Sequence, residues 1–356
     1  MAVPAVQSRF VLAKRPQGSF AEGEHLVFEA SAPVPEVQPG EVLVRNLYMS
    51  LDPALRTQMS VRTYVDPVPV GSTMRASTVG EVVTSAGDLR EGDLVLTKSF
   101  DAGGWQEYYT AKPKEVTRIA LPPGTPLSAA LGVLGLTGLT AYFGLLRVGA
   151  PKEGETVVVS GAAGATGSVA AQIAKHVVGC KVVGIAGGPD KCRFLMEELG
   201  LDGAIDYKAE KDLSQAIRKA CPTGVDVYFD NVGGDQLNAC LRRMRLHGRV
   251  VMCGAISGYD SLGSSAAQPG IPNQVAANIV SSRLKLQGFI VMDFWKEAPH
   301  ALAELASWLK QGKVKNTETV VEGLPNAAKA FRGLFEGENK GKLTVKIADR
   351  ACRSKL

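Results

Sequence analysis

One stretch constrains the fold more than any other: Thr156-Val157-Val158-Val159-Ser160 runs directly into Gly161-Ala162-Ala163-Gly164-Ala165-Thr166-Gly167, and a helical period follows. The β-branched run has the content of a strand buried on both faces, as in parallel sheets covered by helices. A turn of small residues after such a strand lets the backbone N–H groups of the next helix approach a pyrophosphate closely. Ala162 stands where the usual fingerprint has its first glycine, which the turn accepts while its φ stays negative. Gly164, Ala165, Thr166 and Gly167 are therefore the expected pyrophosphate holders. The alternative is a glycine turn serving only helix packing.

The pattern around this stretch repeats. A helix is predicted at 165–178, a strand at 181–186, a helix at 191–199, and further strands at 204–206, 225–230, 248–253 and 284–290. Strands in series with intervening helices predict a doubly wound parallel sheet of the Rossmann kind. The first third differs, with short β-rich pieces at 8–12, 41–49, 78–85, 93–98 and 105–110 punctuated by proline and glycine. They predict a barrel-like or sandwich-like antiparallel unit. After a helix at 300–310 the pattern returns to strand at 317–321, helix at 326–335 and strand at 343–347, which predicts a tail completing the first unit. The predicted class is α/β, with units at 1–130 and 131–312, a returning segment at 313–356, and a cleft between the units.

With 356 residues the chain exceeds what one hydrophobic core ordinarily holds. Its net charge of +5 is scattered, with no basic stripe, so nucleic acid is not the expected partner. The six cysteines show no C-x-x-C pair, and none of His25, His176, His247 and His300 has a cysteine at ligand spacing. No metal is expected, and a reducing compartment is implied. Residues 119–146 carry no charge and 129–146 are long enough to span a bilayer, but the glycines there and Pro122, Pro123 and Pro126 just upstream suit a buried helix and its approach loop. The N-terminus is interrupted by Arg9, Lys14, Arg15 and Pro16, so a cytoplasmic protein is expected. Ser354-Lys355-Leu356 at the end matches the peroxisomal address, which has meaning only in a eukaryote.

The second strand of the parallel sheet selects the coenzyme. An acidic residue at its end would bond the ribose of NAD and repel a phosphate, but this strand ends in Gly187-Gly188, with Lys191 and Arg193 beyond and Asp190 placed to cap the helix. A neutral end followed by cations favours NADPH.

Four motifs then carry a family resemblance: Tyr48-Met49-Ser50-Leu51-Asp52-Pro53, Gly132-Val133-Leu134-Gly135, Thr140-Ala141-Tyr142 and Gly337-Glu338-Asn339-Lys340-Gly341-Lys342. With them the chain resembles the medium-chain dehydrogenase/reductase superfamily. Within it, the likeness is to the zinc-free, NADPH-dependent alkenal/one reductases, which include leukotriene B4 dehydrogenases, prostaglandin reductases and curcumin reductases. The resemblance runs almost end to end. It implies a GroES-like first domain, a Rossmann second domain and a homodimer. It also implies that Lys191 and Tyr207 flank the adenosine phosphate and that Asn231 faces the coenzyme. Cys253, Gly254, Ala255, Ile256, Ser257, Gly258 and Tyr259 would run beside the nicotinamide ribose. Phe289, Ile290 and Val291 would lie along the nicotinamide, with Asn339 a further contact from the tail.

Without a metal, a conjugated double bond must supply its own electron sink. Hydride addition at the β-carbon moves charge to the carbonyl oxygen, which needs a preorganised donor. Tyr259 is the expected donor, and Tyr48 and Ala54 the expected substrate contacts. Ala54 stands where many relatives carry an aromatic residue, and Thr137 where proline is frequent, which predicts a reshaped pocket. A zinc-free quinone reductase would share the coenzyme site, and a non-catalytic nucleotide-binding or RNA-binding protein could use the same fold.

Overall fold

The computed structural model describes residues 3–98, 102–261 and 271–350. The first part contains β1 (Val6–Leu12), β2 (Leu26–Pro33), β3 (Val42–Ser50), α1 (Ala54–Gln58), β4 (Thr78–Thr84), β5 (Leu94–Thr97), β6 (Tyr108–Ala111) and β7 (Val116–Arg118). Next come α2 (Leu136–Phe143), β8 (Thr156–Ser160), α3 (Ala165–Gln172), β9 (Lys181–Ala186), α4 (Pro189–Arg193) and β10 (Gly203–Asp206). They are followed by α5 (Leu213–Ala220), β11 (Val225–Asp230), α6 (Gly234–Leu241), β12 (Met244–Met252), α7 (Asn273–Ser281), β13 (Lys285–Gly288) and α8 (Ala298–Lys310). The tail adds β14 (Glu318–Glu322), α9 (Ala327–Glu336) and β15 (Lys342–Lys346).

The middle strands form one parallel sheet in the order β10-β9-β8-β11-β12-β13. That is the doubly wound arrangement, in which the chain reverses direction between β8 and β11, and ligands bind at the carboxyl ends beside such a reversal. Every residue of β8 and β11 is buried. Val157, Val159 and Phe229 pack with α2, α3 and α8 on one face, and Val158, Ile185 and Tyr228 with α5, α6 and α7 on the other. Burial on both sides is why the alternation normal to a one-sided strand is missing here. The uncharged stretch expected to be a buried helix is α2, with Leu139, Ala141 and Phe143 in the core. Among the described residues no helix is long and apolar enough to cross a membrane.

The second sheet has seven strands, β14-β15-β3-β4-β5-β7 with β6 also on β3, while β1 and β2 form a separate antiparallel pair. The tail strand β15 pairs antiparallel with β3, Val345 opposite Met49, and parallel with β14. Its helix α9 inserts Phe331 edge-on against Trp105 and Phe20, at centroid distances of 5.6 and 5.5 Å.

Some elements differ from the sequence expectation. β2 reads Leu-Val-Phe-Glu-Ala-Ser-Ala-Pro, is mostly exposed and pairs only with β1, so it has no alternating signal to detect. The strand expected at 284–290 stops at Gly288, because Phe289 leaves the ladder for Gly144, where a Cβ would lie 2.5 Å from its ring. Asp190 does not cap α4: Gly188 is the cap residue, Pro189 opens the helix, and Asp190 pairs with Arg193.

Both Phe331 and Trp105 have no exposed surface. Phe331→Ala should lower unfolding free energy by about 3–5 kcal/mol in urea titration, as large aromatic truncations in cores do; a loss under about 1 kcal/mol would show that the tail packs loosely.

Candidate active site

The glycine turn follows from close backbone approach. Gly161 has φ +56°, and a Cβ on Gly167 would lie 2.3 Å from the Gly161 carbonyl oxygen, so neither position admits a side chain. Ala162 is not among the residues of positive φ, and its N–H bonds the Ile185 carbonyl at 3.0 Å. α3 begins at Ala165 behind Gly164 with no side-chain cap, which leaves its first amides, including that of Thr166, for a ligand. The tail closes over this turn: the Gly341 N–H donates to the Ala163 carbonyl at 2.7 Å, and Gly341 bridges Gly164. Asn339 holds the tail's shape by donating to the Gly341 carbonyl at 2.8 Å.

Beside it lies a cluster of cations. Burial pushes the Lys191 ammonium below the usual lysine value, and the nearby charges of Lys208 and Lys340 push it the same way. A Cβ on Gly187 would come within 2.9 Å of the Tyr207 ring and 3.0 Å of Lys208 Cε, so the bare strand end makes room for both. Lys340 also lies over the Phe194 ring, 5.8 Å from its centroid. No carboxylate pairs with Lys191, Lys208 or Lys340 among the described residues. Arg193 is not part of the cluster, being paired with Asp190. The carboxylate of Asp206 is occupied by the N–H groups of Gly188 at 2.8 Å and Lys208 at 3.0 Å. Lys208 and Lys340 were missed in the sequence; their signal was adjacency to Tyr207 and Asn339.

At the ends of β11 and β12 a buried carboxylate organises two loops. Asp230 accepts from Ser160 Oγ at 2.8 Å, the Tyr228 hydroxyl at 2.9 Å and the N–H groups of Val232 and Gly233. Its carbonyl takes the N–H groups of Cys253 and Gly254. Asn231 donates its amide to the Ser160 carbonyl at 2.6 Å. Ile256 and Ser257 bond back to Asn231 and Val232, so the 253–259 loop lies alongside Asn231. The Tyr259 hydroxyl accepts from the Ala255 N–H at 3.3 Å and sits where a Cβ on Gly254 would be 3.2 Å away. Burial above all raises its pKa, opposed by the Ala255 bond and helped by Cys253 and Asp230. Gly258 lies at the open side of this loop, with nothing within 4 Å of its Cβ position. Phe289 and Ile290 follow β13, and Val291 opens a 3-10 turn and is buried.

A second phenol, which no sequence motif marked, lies within reach of the charge of Tyr259. The Tyr64 ring is half exposed, yet its hydroxyl end is desolvated enough to rise above the ordinary tyrosine value, with Tyr259, Asp52 and Cys253 adding to the rise. No motif marked it, because it sits in an irregular loop after α1. A cavity of about 610 Å³ opens between the two sheets, lined by Ser50, Asp52, Leu96, Leu134, Met292 and Trp295 among others. Thr137 lines it too, its hydroxyl donating to the Gly132 carbonyl at 3.0 Å. Tyr48 and Ala54 do not line this cavity: Tyr48 packs with Val79, Ala130 and Leu131, and Ala54 opens α1 beside the 256–261 turn.

Comparison with known proteins follows this geometry. The family described as the N-terminal domain of oxidoreductase matches residues 8–119, and that described as zinc-binding dehydrogenase matches 165–308. The NADPH-dependent curcumin reductase of Escherichia coli (strain K12) is 39% identical, with 96% of each chain covered. The chain belongs to the medium-chain dehydrogenase/reductase superfamily. The 2-alkenal reductase (NADP(+)-dependent) of Nicotiana tabacum is 39% identical over 86% of this chain and 88% of its own. The structure of CurA from Vibrio vulnificus in complex with NADPH superposes with a TM-score of 0.88 at 39% identity, covering 96% of this chain and 99% of that one. Zinc appears in one family description, but among the described residues no three His, Cys, Asp or Glu side chains gather as a metal set.

The residues present fit NADPH. A phosphate dianion beside Lys191 would raise the pKa that burial and like charges lower in the free protein. Affinity should therefore be steady below the free-state Lys191 pKa and decline as pH rises through it. Fluorescence titration of NADPH from pH 7 upward should show that decline in the wild type and a flatter profile in Lys191→Arg. Lys340→Ala should weaken NADPH about tenfold and leave NADH unchanged; equal effects on both coenzymes would remove Lys340 from the phosphate site.

Proposed function

We propose that the chain uses NADPH to reduce the carbon–carbon double bond of small α,β-unsaturated aldehydes and ketones. The observation that carries this reading is the pair of phenols raised by burial, Tyr64 and Tyr259, the second near enough for its charge to bear on the first. NADPH, when bound, supplies the hydride that adds to the β-carbon. The 164–167 turn holds its pyrophosphate, and Lys191, Lys208, Lys340 and Tyr207 hold the adenosine phosphate. The 253–258 loop, Asn231 and the segment 289–291 flank the nicotinamide. Leu96, Leu134, Met292 and Trp295 exclude water from the alkene.

The chain's own part in the chemistry is to receive charge on the carbonyl oxygen. Both phenols stay protonated at neutral pH, so each can donate a hydrogen bond to an enolate oxygen without having to be recharged. Tyr259 has its lone pair engaged by Ala255 N–H, while its proton has no acceptor among the described residues. We therefore assign Tyr259 as the principal donor, Tyr64 as its partner, and Tyr48 and Ala54 as residues that shape the wall behind the substrate. No metal enters this scheme. β13 is an edge strand of the parallel sheet, which supports pairing with a second copy.

NADPH absorbance followed against an alkenal, an enone, a quinone and a saturated ketone tests the reading. Turnover of the first two and none of the ketone is expected; faster turnover of the quinone would favour the quinone reductase alternative. Tyr259→Phe should lower kcat for the enone about a hundredfold, the loss seen when one preorganised donor is removed.

A further inference from the structure

The loop that carries Tyr259 is tied to the other half of the molecule through a buried charge. Arg56 in α1 has 0% exposed surface. Its guanidinium donates to Asp260 Oδ1 at 2.9 Å, to Ser60 Oγ at 2.7 Å and to the Gly18 carbonyl. α1 belongs with the seven-stranded sheet, whereas Asp260 lies in the 3-10 turn Ile256–Ser261 that leaves β12 of the parallel sheet. The pair spans 204 positions of sequence. A guanidinium withdrawn from water is tolerated only when its charge and donors are met, and Asp260 is the carboxylate that meets it.

The other anchors of the loop lie at its start. Cys253 and Gly254 bond to Asp230, Ile256 to Asn231 and Ser257 to Val232. Beyond Gly258 the bonds turn inward, with Ser261 Oγ donating to the Gly258 carbonyl at 2.9 Å. Among the described residues, the Asp260 contact is the hydrogen bond that ties the far end of the loop to anything outside it. Tyr259 is the neighbouring residue, and among the described residues its hydroxyl has one hydrogen bond, a long one accepted from the Ala255 N–H. The position of that phenol thus depends on where Asp260 is fixed.

We propose that the Arg56–Asp260 ion pair is a positioning latch that sets the Tyr259 hydroxyl against the substrate carbonyl. It touches neither substrate nor coenzyme and acts through the adjacent tyrosine. Small misplacements of a reacting group change rate strongly, which gives a surface turn this leverage on the chemistry. The proposal rests on the donor role assigned to Tyr259.

Arg56 is too deeply buried to replace safely, so Asp260→Asn is the probe, keeping the shape and a neutral acceptor. With an enone it should lower kcat about tenfold, leave the Kd for NADPH in the binary complex within twofold, and leave the fold intact by circular dichroism. In a Tyr259→Phe background the same change should have no further effect on kcat. Unchanged kcat in Asp260→Asn, or a tenfold loss that persists in the Tyr259→Phe background, overturns the latch. Full activity in Tyr259→Phe alone overturns the donor assignment and the latch with it. An impaired Tyr259→Phe with multiplicative losses overturns the latch only.

Discussion

Two consecutive residues of the tail join the coenzyme turn to the substrate wall. Gly341 has φ +63°, gives its N–H to the Ala163 carbonyl, and would place any Cβ 2.0 Å from the Thr317 carbonyl oxygen. The next residue, Lys342, is 2% exposed, and its ammonium donates to the Leu51 carbonyl at 3.0 Å and Asp52 Oδ1 at 2.6 Å. Asp52 in turn accepts from Ser50 and borders the cavity. A buried ammonium with its carboxylate in place is a rigid joint, because separating the two leaves an unmet charge in low dielectric. The tail strand β15, paired with β3, thereby ties the 161–167 turn to a residue that borders the cavity.

The parallel sheet was legible because its information is local. Each βα step writes a β-branched run, a small-residue turn and a helical period in order, and the Thr156 to Gly167 stretch carries all three. The antiparallel part was less so: β7 has three residues and β2 is largely exposed, so pairing rather than pattern defines them. The strand, small-residue turn and helix start at 156–167 could be read for the same reason of locality. Lys208, Lys340 and Tyr64 could not, since each matters through neighbours brought from distant segments. The charge expected from Arg193 is consumed by Asp190 three residues away, a contact that competes with any ligand and that composition alone does not reveal. Ser354, Lys355 and Leu356 lie outside the described residues.

Burial sets the chemistry on both sides of the cleft. Asp230 is buried at the sheet end yet fully engaged, so its cost is offset by donors from β8, β11 and the following loop. It makes the 231–234 and 253–254 segments parts of one hydrogen-bonded unit. Tyr259 and Cys253 extend from that unit with their protons retained, Cys253 because a thiolate there would be both desolvated and close to Asp230. The 253–259 segment therefore carries neutral groups rather than anions, which would suit a reaction whose developing charge is negative.

The three crowded ammonium groups carry a consequence beyond the bound complex. The charges of Lys208 and Lys340 bear on Lys191 with no pairing carboxylate among the described residues, a repulsion that a phosphorylated ligand would relieve. Loading and folding are then coupled, and the empty polypeptide is the form most open to unfolding and proteolysis. A ligand that binds only the folded chain adds to its stability, so a dinucleotide phosphate would shield this fold as well as serve its chemistry.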